Sequence, residues 1–290
     1  MELNVIYTTL ISAPDLIPSI SEPNWVIIDC RFSLDDPEYG RQNYLEAHIP
    51  GAVYAHLDED LCSPWIKGET GRHPLPSCEA FTDQLGDWGI NSSSKVIAYD
   101  DVGGSMAAAR LWWLMRWLGH YSVAVLDGGW QSWLEAGEAV SSGQKERSSS
   151  MFIPRIKQGL LIETSEILAR LQDPDFRLLD SREEIRYRGE IEPIDPVAGH
   201  IPGALSSPHQ AVLDSHGKFL APEDLRQHFQ VLLGDIPAKI TTFYCGSGVT
   251  AAQNVLALAH SGLGDARLYA GSWSEWITDP ERPIATSDRY

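Results

Sequence analysis

A short loop near the carboxyl end of the chain, with the sequence CGSGVT, has the residue types of a nucleophilic sulfur site. It runs from Cys245 to Thr250, follows an apolar segment typical of a buried strand, and precedes a segment with helical spacing. Gly246 and Gly248 allow backbone N–H groups to point inward as a nest that attracts anions, and the positive end of the following helix adds to this field. Such surroundings stabilise a thiolate, so Cys245 is predicted to be a nucleophile at neutral pH. A small buried thiol at a strand end is the simpler alternative.

The chain contains the same succession of motifs twice. The first-half segments WVIIDCR, AHIPGAV, VIAYD and VAVLDGGWQSWLEAG correspond, in order, to FRLLDSR, GHIPGAL, TTFYC and ARLYAGSWSEWITDP. A shared order of this kind indicates two copies of one domain. We therefore assign residues 1–140 to a first domain, residues 141–160 to a serine-rich linker, and residues 161–290 to a second domain.

Strand-like and helix-like segments alternate within each copy. In the second copy, FRLLDS, ITTFYC and ARLYA are predicted strands, and TAAQNVLALAHS is a predicted helix that ends at Gly262. The alternation predicts an α/β fold in which each domain is a mainly parallel sheet flanked by helices. Ligands of such sheets bind beyond the carboxyl ends of the strands. One such loop begins at Cys245, and its counterpart in the first copy begins at Asp100.

The motif CGSGVTA after an apolar strand, with HIPGA upstream in both copies and GSWSEW downstream, resembles the tandem-domain rhodaneses and 3-mercaptopyruvate sulfurtransferases. The resemblance extends over nearly the whole chain and implies two tandem rhodanese-like domains, of which the second is catalytic. Asp100 at the cysteine position agrees with a non-catalytic first domain, because a carboxylate cannot carry a sulfane sulfur. The implied activity moves sulfur from 3-mercaptopyruvate or thiosulfate to a thiol or cyanide through a persulfide on Cys245. The loop residues expected around the donor are Gly246, Gly248, Val249 and Thr250.

The family resemblance further implies a relay that handles protons at the nucleophile. It maps to Ser247 in the loop, His73 in GRHPLP and Asp58 in AHLDED. A histidine exchanges protons near neutral pH, and an aspartate can fix its tautomer. Either His73 or Asp58 could instead be an ordinary polar residue between the domains.

Donor preference depends on the residues that follow the cysteine and on nearby arginines. Gly246 and Ser247 stand where thiosulfate-preferring rhodaneses tend to carry cations, so the loop resembles that of the mercaptopyruvate enzymes. Arg186 in RYRG matches the first substrate arginine of the family. The segment EIEPIDPVA contains no second arginine, and Arg72 is the candidate to replace it. The preferred donor is therefore left open.

Other conspicuous residues are interpreted as structural. Arg182 is expected to pair with a nearby carboxylate, because Arg31 holds the same place in the first copy, and Arg188 is expected to face solvent. Cys30, Cys62 and Cys78 are interpreted as structural thiols, although Cys62 in the loop LCSPW could be exposed. Six tryptophans in the repeated helical segments are expected in the core or between the domains: Trp112, Trp113, Trp130, Trp133, Trp273 and Trp276.

Two other functions share parts of this pattern. Cysteine phosphatases also hold a thiolate among N–H groups, but their loop closes with an arginine that clamps the phosphoryl oxygens. Here Thr250 and Ala251 follow Val249, which argues against a phosphatase. A non-catalytic sulfur carrier or sulfane-sulfur sensor stays open, and turnover with a soluble donor would separate it from an enzyme.

Charge and cysteine usage limit the partners. A net charge of −18 over 290 residues disfavours nucleic acid and anionic membranes as partners. The N-terminal segment has no signal-peptide pattern, and the apolar stretch from Ala107 to Leu118 is too short to span a bilayer. Four cysteines without a CxxC pair predict neither a disulfide framework nor a metal site, and no cofactor is expected. We expect a cytoplasmic monomer that uses a small sulfur donor and thioredoxin, a small thiol or cyanide as the acceptor.

Overall fold

The computed structural model describes residues 6–286, which form two compact units. The first unit contains the chain up to Ser63, Pro76–Lys157 and His216–Phe219. The second contains Pro64–Leu75, Gln158–Ser215 and the chain from Leu220 onward. Each unit therefore contains one copy of the repeat. Each also contains a short segment that belongs, in the sequence, to the other copy: Pro64–Leu75 in the second unit and His216–Phe219 in the first.

The first unit is built on a parallel five-stranded sheet. Its strands are β1 (Leu10–Ile11), β2 (Trp25–Asp29), β3 (Val53–Tyr54), β4 (Lys95–Tyr99) and β5 (Val123–Leu126). They lie in the order β1-β5-β4-β2-β3, and every neighbouring pair is parallel. The helices are α1 (Ala13–Leu16), α2 (Tyr39–Glu46), α3 (Leu57–Asp60), α4 (Cys78–Asp87), α5 (Ala107–Trp117) and α6 (Gly129–Glu135), with a 3-10 turn at Ile17–Ser19. Since both faces of β2, β4 and β5 are buried, their sequences are apolar without alternation.

The second unit repeats this plan with four strands. These are β6 (Arg177–Asp180), β7 (Leu205–Ser206), β8 (Thr241–Tyr244) and β9 (Arg267–Leu268), in the parallel order β7-β6-β8-β9. The helices are α7 (Thr164–Arg170), α8 (Glu184–Tyr187), α9 (Pro222–Leu233), α10 (Thr250–His260) and α11 (Ser272–Trp276), with 3-10 turns at His209–Val212 and Ala238–Ile240. A parallel bridge from Leu161 to Leu268 takes the place that β1 has in the first unit. The predicted fold of two parallel α/β domains is confirmed.

The predicted elements of the second copy are also confirmed. β6 and β8 coincide with the predicted strands FRLLDS and ITTFYC, and β9 is a two-residue part of ARLYA. α10 ends at His260, and Gly262 follows with a φ of +81°, the left-handed conformation that favours glycine after a helix.

The tryptophans of the repeated segments pack in the cores of the two units, as expected. Trp133 and Trp276 occupy corresponding places, and both are buried. Trp273 is buried as well, whereas its counterpart Trp130 is half-buried against the first core.

The apolar stretch that begins at Ala107 forms α5, a helix of eleven residues. Its two arginines are buried, and the Arg116 guanidinium lies 4.9 Å from the ring centre of Trp112. Among the helices within residues 6–286, none has the length and apolar character of a membrane span.

Most of the segment predicted as a linker is bound to the first unit by its backbone. Ser141 exchanges hydrogen bonds with His48, the Ser150 amide donates to the Gly86 carbonyl, and the Arg155 amide donates to the Leu118 carbonyl. A serine-rich composition does not reveal these contacts, because main-chain groups rather than side chains make them. The domain limits at residues 140 and 160 stay predictions.

A buried ion pair stands at the end of β2 in the first copy and at the end of its counterpart β6 in the second. The Arg31 guanidinium donates to both carboxylate oxygens of Asp29, with a shortest distance of 2.6 Å, and to the Ala47 carbonyl. Arg182 does the same with Asp180 and Gly199. Each pair thereby ties a strand end to the segment before HIPGA. The structural interpretation of Arg182 is confirmed.

Replacing Arg31 with methionine tests how much the Arg31–Asp29 pair contributes to the stability of the fold. Arg31→Met leaves the Asp29 carboxylate buried without its cation, so we expect the free energy of unfolding to fall by about 3–5 kcal/mol in urea denaturation. Arg41→Met is the matched control, because Arg41 pairs with Glu59 at the surface and should cost less than about 1 kcal/mol. Equal losses in the two variants would contradict a special role for the buried pair.

Candidate active site

The thiol of Cys245 lies at the carboxyl end of β8, an inner strand of the second sheet. Its side chain is buried, and the Gly248 amide donates to Sγ at 3.2 Å. The Cys245 amide donates to Ser272 Oγ at 3.1 Å, and its carbonyl accepts from the Trp273 amide at 3.0 Å. Because α10 begins at Thr250, the positive end of a helix follows the loop. The sulfur is thus held where the strand meets the helix.

The two glycines of the loop are required for different reasons. Gly248 has a φ of +79°, and a Cβ there would lie 2.2 Å from the Ala270 carbonyl oxygen. Only glycine permits so close an approach. At Gly246, a Cβ would lie 3.0 Å from Arg72 Nη2 and 3.5 Å from Arg186 Nη2. Two guanidinium groups therefore stand directly beside the backbone of the loop.

The structure brings together Ser247 and His73, two of the three predicted relay residues. Ser247 Oγ and His73 Nδ1 are 2.7 Å apart, and both side chains are buried. His73 and Arg72 belong to Pro64–Leu75, which lies in the second unit. A Cβ at Gly71 would lie 2.5 Å from the Gly271 carbonyl oxygen, which shows how closely this segment packs before α11.

The third predicted relay residue lies in the first unit. Asp58 is in the first turn of α3, and its amide donates to the Nδ1 atom of His56, which caps that helix. Its part in a relay with His73 stays a prediction.

Two buried carboxylates hold the arginines beside the loop. Glu192 accepts from Arg186 Nη2 at 2.7 Å and from Arg182 Nη1 at 3.2 Å. Asp195 accepts from Arg72 Nη1 and from Arg186 Nη2, the latter at 3.4 Å. Both carboxylate side chains are 3% exposed. The segment EIEPIDPVA, which lacks the expected arginine, instead supplies the anions that fix Arg72 and Arg186.

This arrangement leaves part of each guanidinium available to a ligand. Among residues 6–286, Arg72 Nη2 and Arg186 Nη1 have no protein acceptor, and they lie 3.0 and 3.7 Å from the Cβ position at Gly246. Burial lowers the pKa of Arg72, and the negative charge of Cys245 acts in the opposite direction. The two nitrogens form a pair of donors suited to a carboxylate. We call Arg72 and Arg186 the arginine pair.

The other arginine of the motif has no place in the site. Arg188 is half exposed and donates to Glu184 on its own helix turn. This agrees with the expectation that it faces solvent.

Sequence reasoning missed Ser272. It is buried with a φ of +56°, a left-handed conformation that costs a residue other than glycine about 1–2 kcal/mol. Its Oγ accepts from the Cys245 amide and donates to the Tyr269 carbonyl. The first copy has Gly129 at the same place, with a φ of +55°. In the sequence, this residue is marked only by the difference between GGW in the first copy and GSW in the second.

In the first unit, Asp100 fills the position of the nucleophile. Its carboxylate accepts from the amides of Val102, Gly104, Met106 and Ala108 at 2.7–3.3 Å. The N–H groups of this loop are therefore occupied by the chain's own carboxylate. Burial raises the pKa of Asp100 to about 6, although these N–H groups act in the opposite direction.

The other three cysteines belong to the first unit. Cys30 and Cys62 are buried and Cys78 is half-buried, so the suggestion that Cys62 is exposed is wrong. Burial raises the pKa of Cys62 to about 11. No group of His, Cys, Asp and Glu side chains suited to a metal ion occurs in the described part of the chain.

These features define a protein class. Residues 12–136 and 163–279 match the family model described as "Rhodanese-like domain", so the chain belongs to the rhodanese-like family in both of its halves. Both matches contain the loop that follows β4 or its counterpart β8, which begins at Asp100 in the first copy and at Cys245 in the second.

Similar proteins carry the names of two activities. A Pseudomonas aeruginosa protein named "Probable 3-mercaptopyruvate sulfurtransferase" is 49% identical over 96% of this chain and 98% of its own length. A thiosulfate sulfurtransferase of Rattus norvegicus is 34% identical over 94% of this chain and 93% of its own. The solved structure of 3-mercaptopyruvate sulfurtransferase from Leishmania major matches with a TM-score of 0.83 and 29% identity, over 94% of this chain and 76% of that one.

The titration of Asp100 can be tested by its effect on stability. A carboxyl whose pKa is raised in the folded protein contributes stability that is fully present below its unfolded value of 3.8 and is lost as the pH rises through about 6. Asp100→Asn removes the titration. Between pH 4 and pH 7, the free energy of unfolding should therefore shift in favour of the variant by about 2–3 kcal/mol. Urea denaturation at several pH values measures this, and a difference that does not vary with pH would contradict the assignment.

Proposed function

We propose that the chain is a sulfurtransferase that carries a sulfane sulfur as a persulfide on Cys245. The observation that carries the proposal is the surroundings of this thiol: a loop amide on its sulfur, a hydrogen-bonded Ser247–His73 pair, and the arginine pair beside Gly246. Similarity to sulfurtransferases over nearly the whole chain supports it.

In the first half-reaction, the Cys245 thiolate attacks the sulfur of the donor. A bond forms between the two sulfur atoms, and the bond from that sulfur to carbon breaks. Its electron pair leaves as the enolate of pyruvate, which takes up a proton to become pyruvate. The Ser247 hydroxyl, hydrogen-bonded to His73, is placed to deliver that proton. Asp58 is proposed to orient His73, as the family resemblance implies.

The arginine pair favours 3-mercaptopyruvate as the donor. Arg72 Nη2 and Arg186 Nη1 offer two donors at one point above Gly246, which matches the two oxygens of a carboxylate. The loop itself carries no cationic side chain that would hold a dianion such as thiosulfate against the sulfur. Gly246 is needed here because any side chain would meet both guanidinium groups. Thiosulfate is proposed as a poorer donor, with sulfite as its leaving group.

In the second half-reaction, a thiol or cyanide takes the sulfur from Cys245. Thioredoxin and small thiols are the proposed acceptors, and ping-pong kinetics is the expected signature. We also propose that the protein acts as a monomer in the cytoplasm. A reducing compartment would keep Cys245 available as a thiol, and each of the four cysteines is free in the structure.

Replacement of the nucleophile tests the proposal directly. Cys245→Ser should abolish turnover and also the mass increase of about 32 Da, one sulfur atom, after treatment with the donor. Cys78→Ser is the control, because Cys78 is a half-buried thiol at the start of α4, and it should retain both properties. Turnover in the Cys245 variant would refute the covalent mechanism. A persulfide that forms without turnover would favour the sulfur-carrier alternative.

The donor assignment has its own test. We expect kcat/KM to be higher for 3-mercaptopyruvate than for thiosulfate. Arg186→Met and Arg72→Met should each lower the mercaptopyruvate value by about 10–100-fold, the effect of losing one charge-assisted hydrogen bond. Arg188→Met is the matched control and should have little effect, because Arg188 is half exposed and pairs with Glu184. An unchanged mercaptopyruvate rate in the first two variants would show that these arginines do not bind the donor.

A further inference from the structure

Asp195 is the carboxylate that joins the two members of the arginine pair. One of its oxygens accepts from Arg72 Nη1, and the other accepts from Arg186 Nη2 at 3.4 Å. Its side chain is 3% exposed, and within residues 6–286 the hydrogen-bond partners of its carboxylate are these two arginines. The nitrogens that face the loop beside Gly246 are therefore separated from the charge of Asp195 by one guanidinium group.

Glu192 also holds Arg186, but it has a wider structural part. Its carboxylate accepts from Arg186 and Arg182, and its Oε1 atom accepts from the amides of Ile194 and Asp195 at 3.1 Å. Loss of Glu192 would therefore release the backbone of its own segment. The Asp195 carboxylate contacts side chains alone, so its charge can be removed by asparagine while an oxygen of the same shape remains.

The arginine pair belongs to a cluster of ion pairs whose charges cancel. Three guanidinium groups and three carboxylates are joined by N–O distances of 3.4 Å or less. The members are Arg72, Arg182, Arg186, Asp180, Glu192 and Asp195. The carboxylate side chains are at most 3% exposed, so solvent and salt screen them little. The two donors that face the loop are therefore not two uncompensated positive charges.

The two candidate sulfur donors differ in charge. At neutral pH, 3-mercaptopyruvate carries one negative charge on its carboxylate, because an ordinary thiol is mostly protonated there. Thiosulfate carries two negative charges, and either donor has to approach the Cys245 thiolate. Charges interact more strongly in a buried site than in water. The second negative charge of thiosulfate therefore meets the thiolate without a cation to offset it.

We propose that Asp195 determines donor specificity, because its charge reduces the arginine pair to a site for a donor with one negative charge and disfavours a donor with two. The inference rests on the proposed function and deepens it. The arginines supply the hydrogen bonds to the donor, and Asp195 sets how much negative charge they can accept. Asp195 is thus a positioning and specificity residue rather than a catalytic one.

Both donors lead to the same persulfide, so their rates can be compared directly. With thiosulfate, the Cys245 thiolate attacks the outer sulfur and a new sulfur–sulfur bond forms. The bond from that outer sulfur to the sulfonate sulfur breaks, and its electron pair leaves with sulfite. No proton is needed in this step, whereas the enolate that leaves 3-mercaptopyruvate takes one up.

The test compares kcat/KM for the two donors in the full-length protein, with cyanide as the common acceptor. In a ping-pong reaction this quantity reports the first half-reaction alone. With Asp195→Asn, the thiosulfate value should rise about tenfold, because one negative charge has left the buried site. The 3-mercaptopyruvate value should fall about threefold, because Arg72 loses a charge-assisted hydrogen bond. A residue that merely supports the fold would change both values in the same direction.

Sulfate and pyruvate test the same charge effect without turnover. Neither transfers sulfur, and sulfate carries two negative charges where pyruvate carries one. As inhibitors of persulfide formation, sulfate should have an inhibition constant about tenfold lower in Asp195→Asn. The constant for pyruvate should not fall.

Two further variants serve as controls. Asp195→Glu retains the charge, so it should keep the ratio of the two donors even where both rates are lower. Glu184→Gln removes one negative charge from the same unit at a site that is 45% exposed and paired with Arg188, and it should leave both rates unchanged.

A reversal of donor preference that is confined to Asp195→Asn supports the proposal. Equal losses with both donors, or an unchanged ratio, would overturn it, because Asp195 would then only support the arginines. An equal gain for thiosulfate in Glu184→Gln would also overturn it, since the overall charge of the chain would be responsible. These outcomes leave the persulfide in place, whereas failure of the unaltered protein to form it with either donor would remove the proposed function as well.

Discussion

Amide groups at the start of a helix need an acceptor, and both copies of the repeat are organised around this need. In the first unit, the Asp100 carboxylate accepts from four amides in the loop after β4 and the first turn of α5. In the second unit, the sulfur of Cys245 accepts from Gly248. The same loop conformation can therefore bind a carboxylate of its own chain or hold a thiolate that is available to a donor. The choice depends on a single residue, which follows β4 in the first unit and β8 in the second.

The chain is strongly acidic, yet its proposed substrates are anions. In the second unit, two arginines held by buried carboxylates provide local positive charge beside the loop. Arg72 and Arg186 approach the same point above Gly246, where burial and, to a smaller extent, the like charge of Arg186 lower the pKa of Arg72. Asp195 accepts from both, which offsets the repulsion. Since Glu192 and Asp195 engage one part of each guanidinium, a nitrogen of each stays available on the side of the loop. Buried carboxylates thus make two neighbouring cations usable by a ligand.

The position of the thiol depends on support from several directions. Ser272 keeps a left-handed backbone that costs it free energy, and in return its hydroxyl accepts from the Cys245 amide. Gly248 lets the loop lie against Ala270, and the segment Pro64–Leu75 brings His73 to Ser247. None of these residues lies next to another in the sequence except within the loop itself. Precise placement of the sulfur is therefore a property of the whole unit rather than of the motif.

The sequence by itself determined the repeat, the parallel α/β architecture, the nucleophile in the second copy and its absence from the first. These features depend on local spacing and on the chemistry of single residues, which a sequence displays directly. Only the tertiary structure decided which arginines stand beside the loop, that Glu192 and Asp195 hold them, that Ser272 supports Cys245, and that Arg72 and His73 belong to the second unit. Such contacts join residues far apart in the chain, and several of them use backbone atoms that every residue has. No pattern of side chains along the sequence can therefore reveal them before the chain has folded.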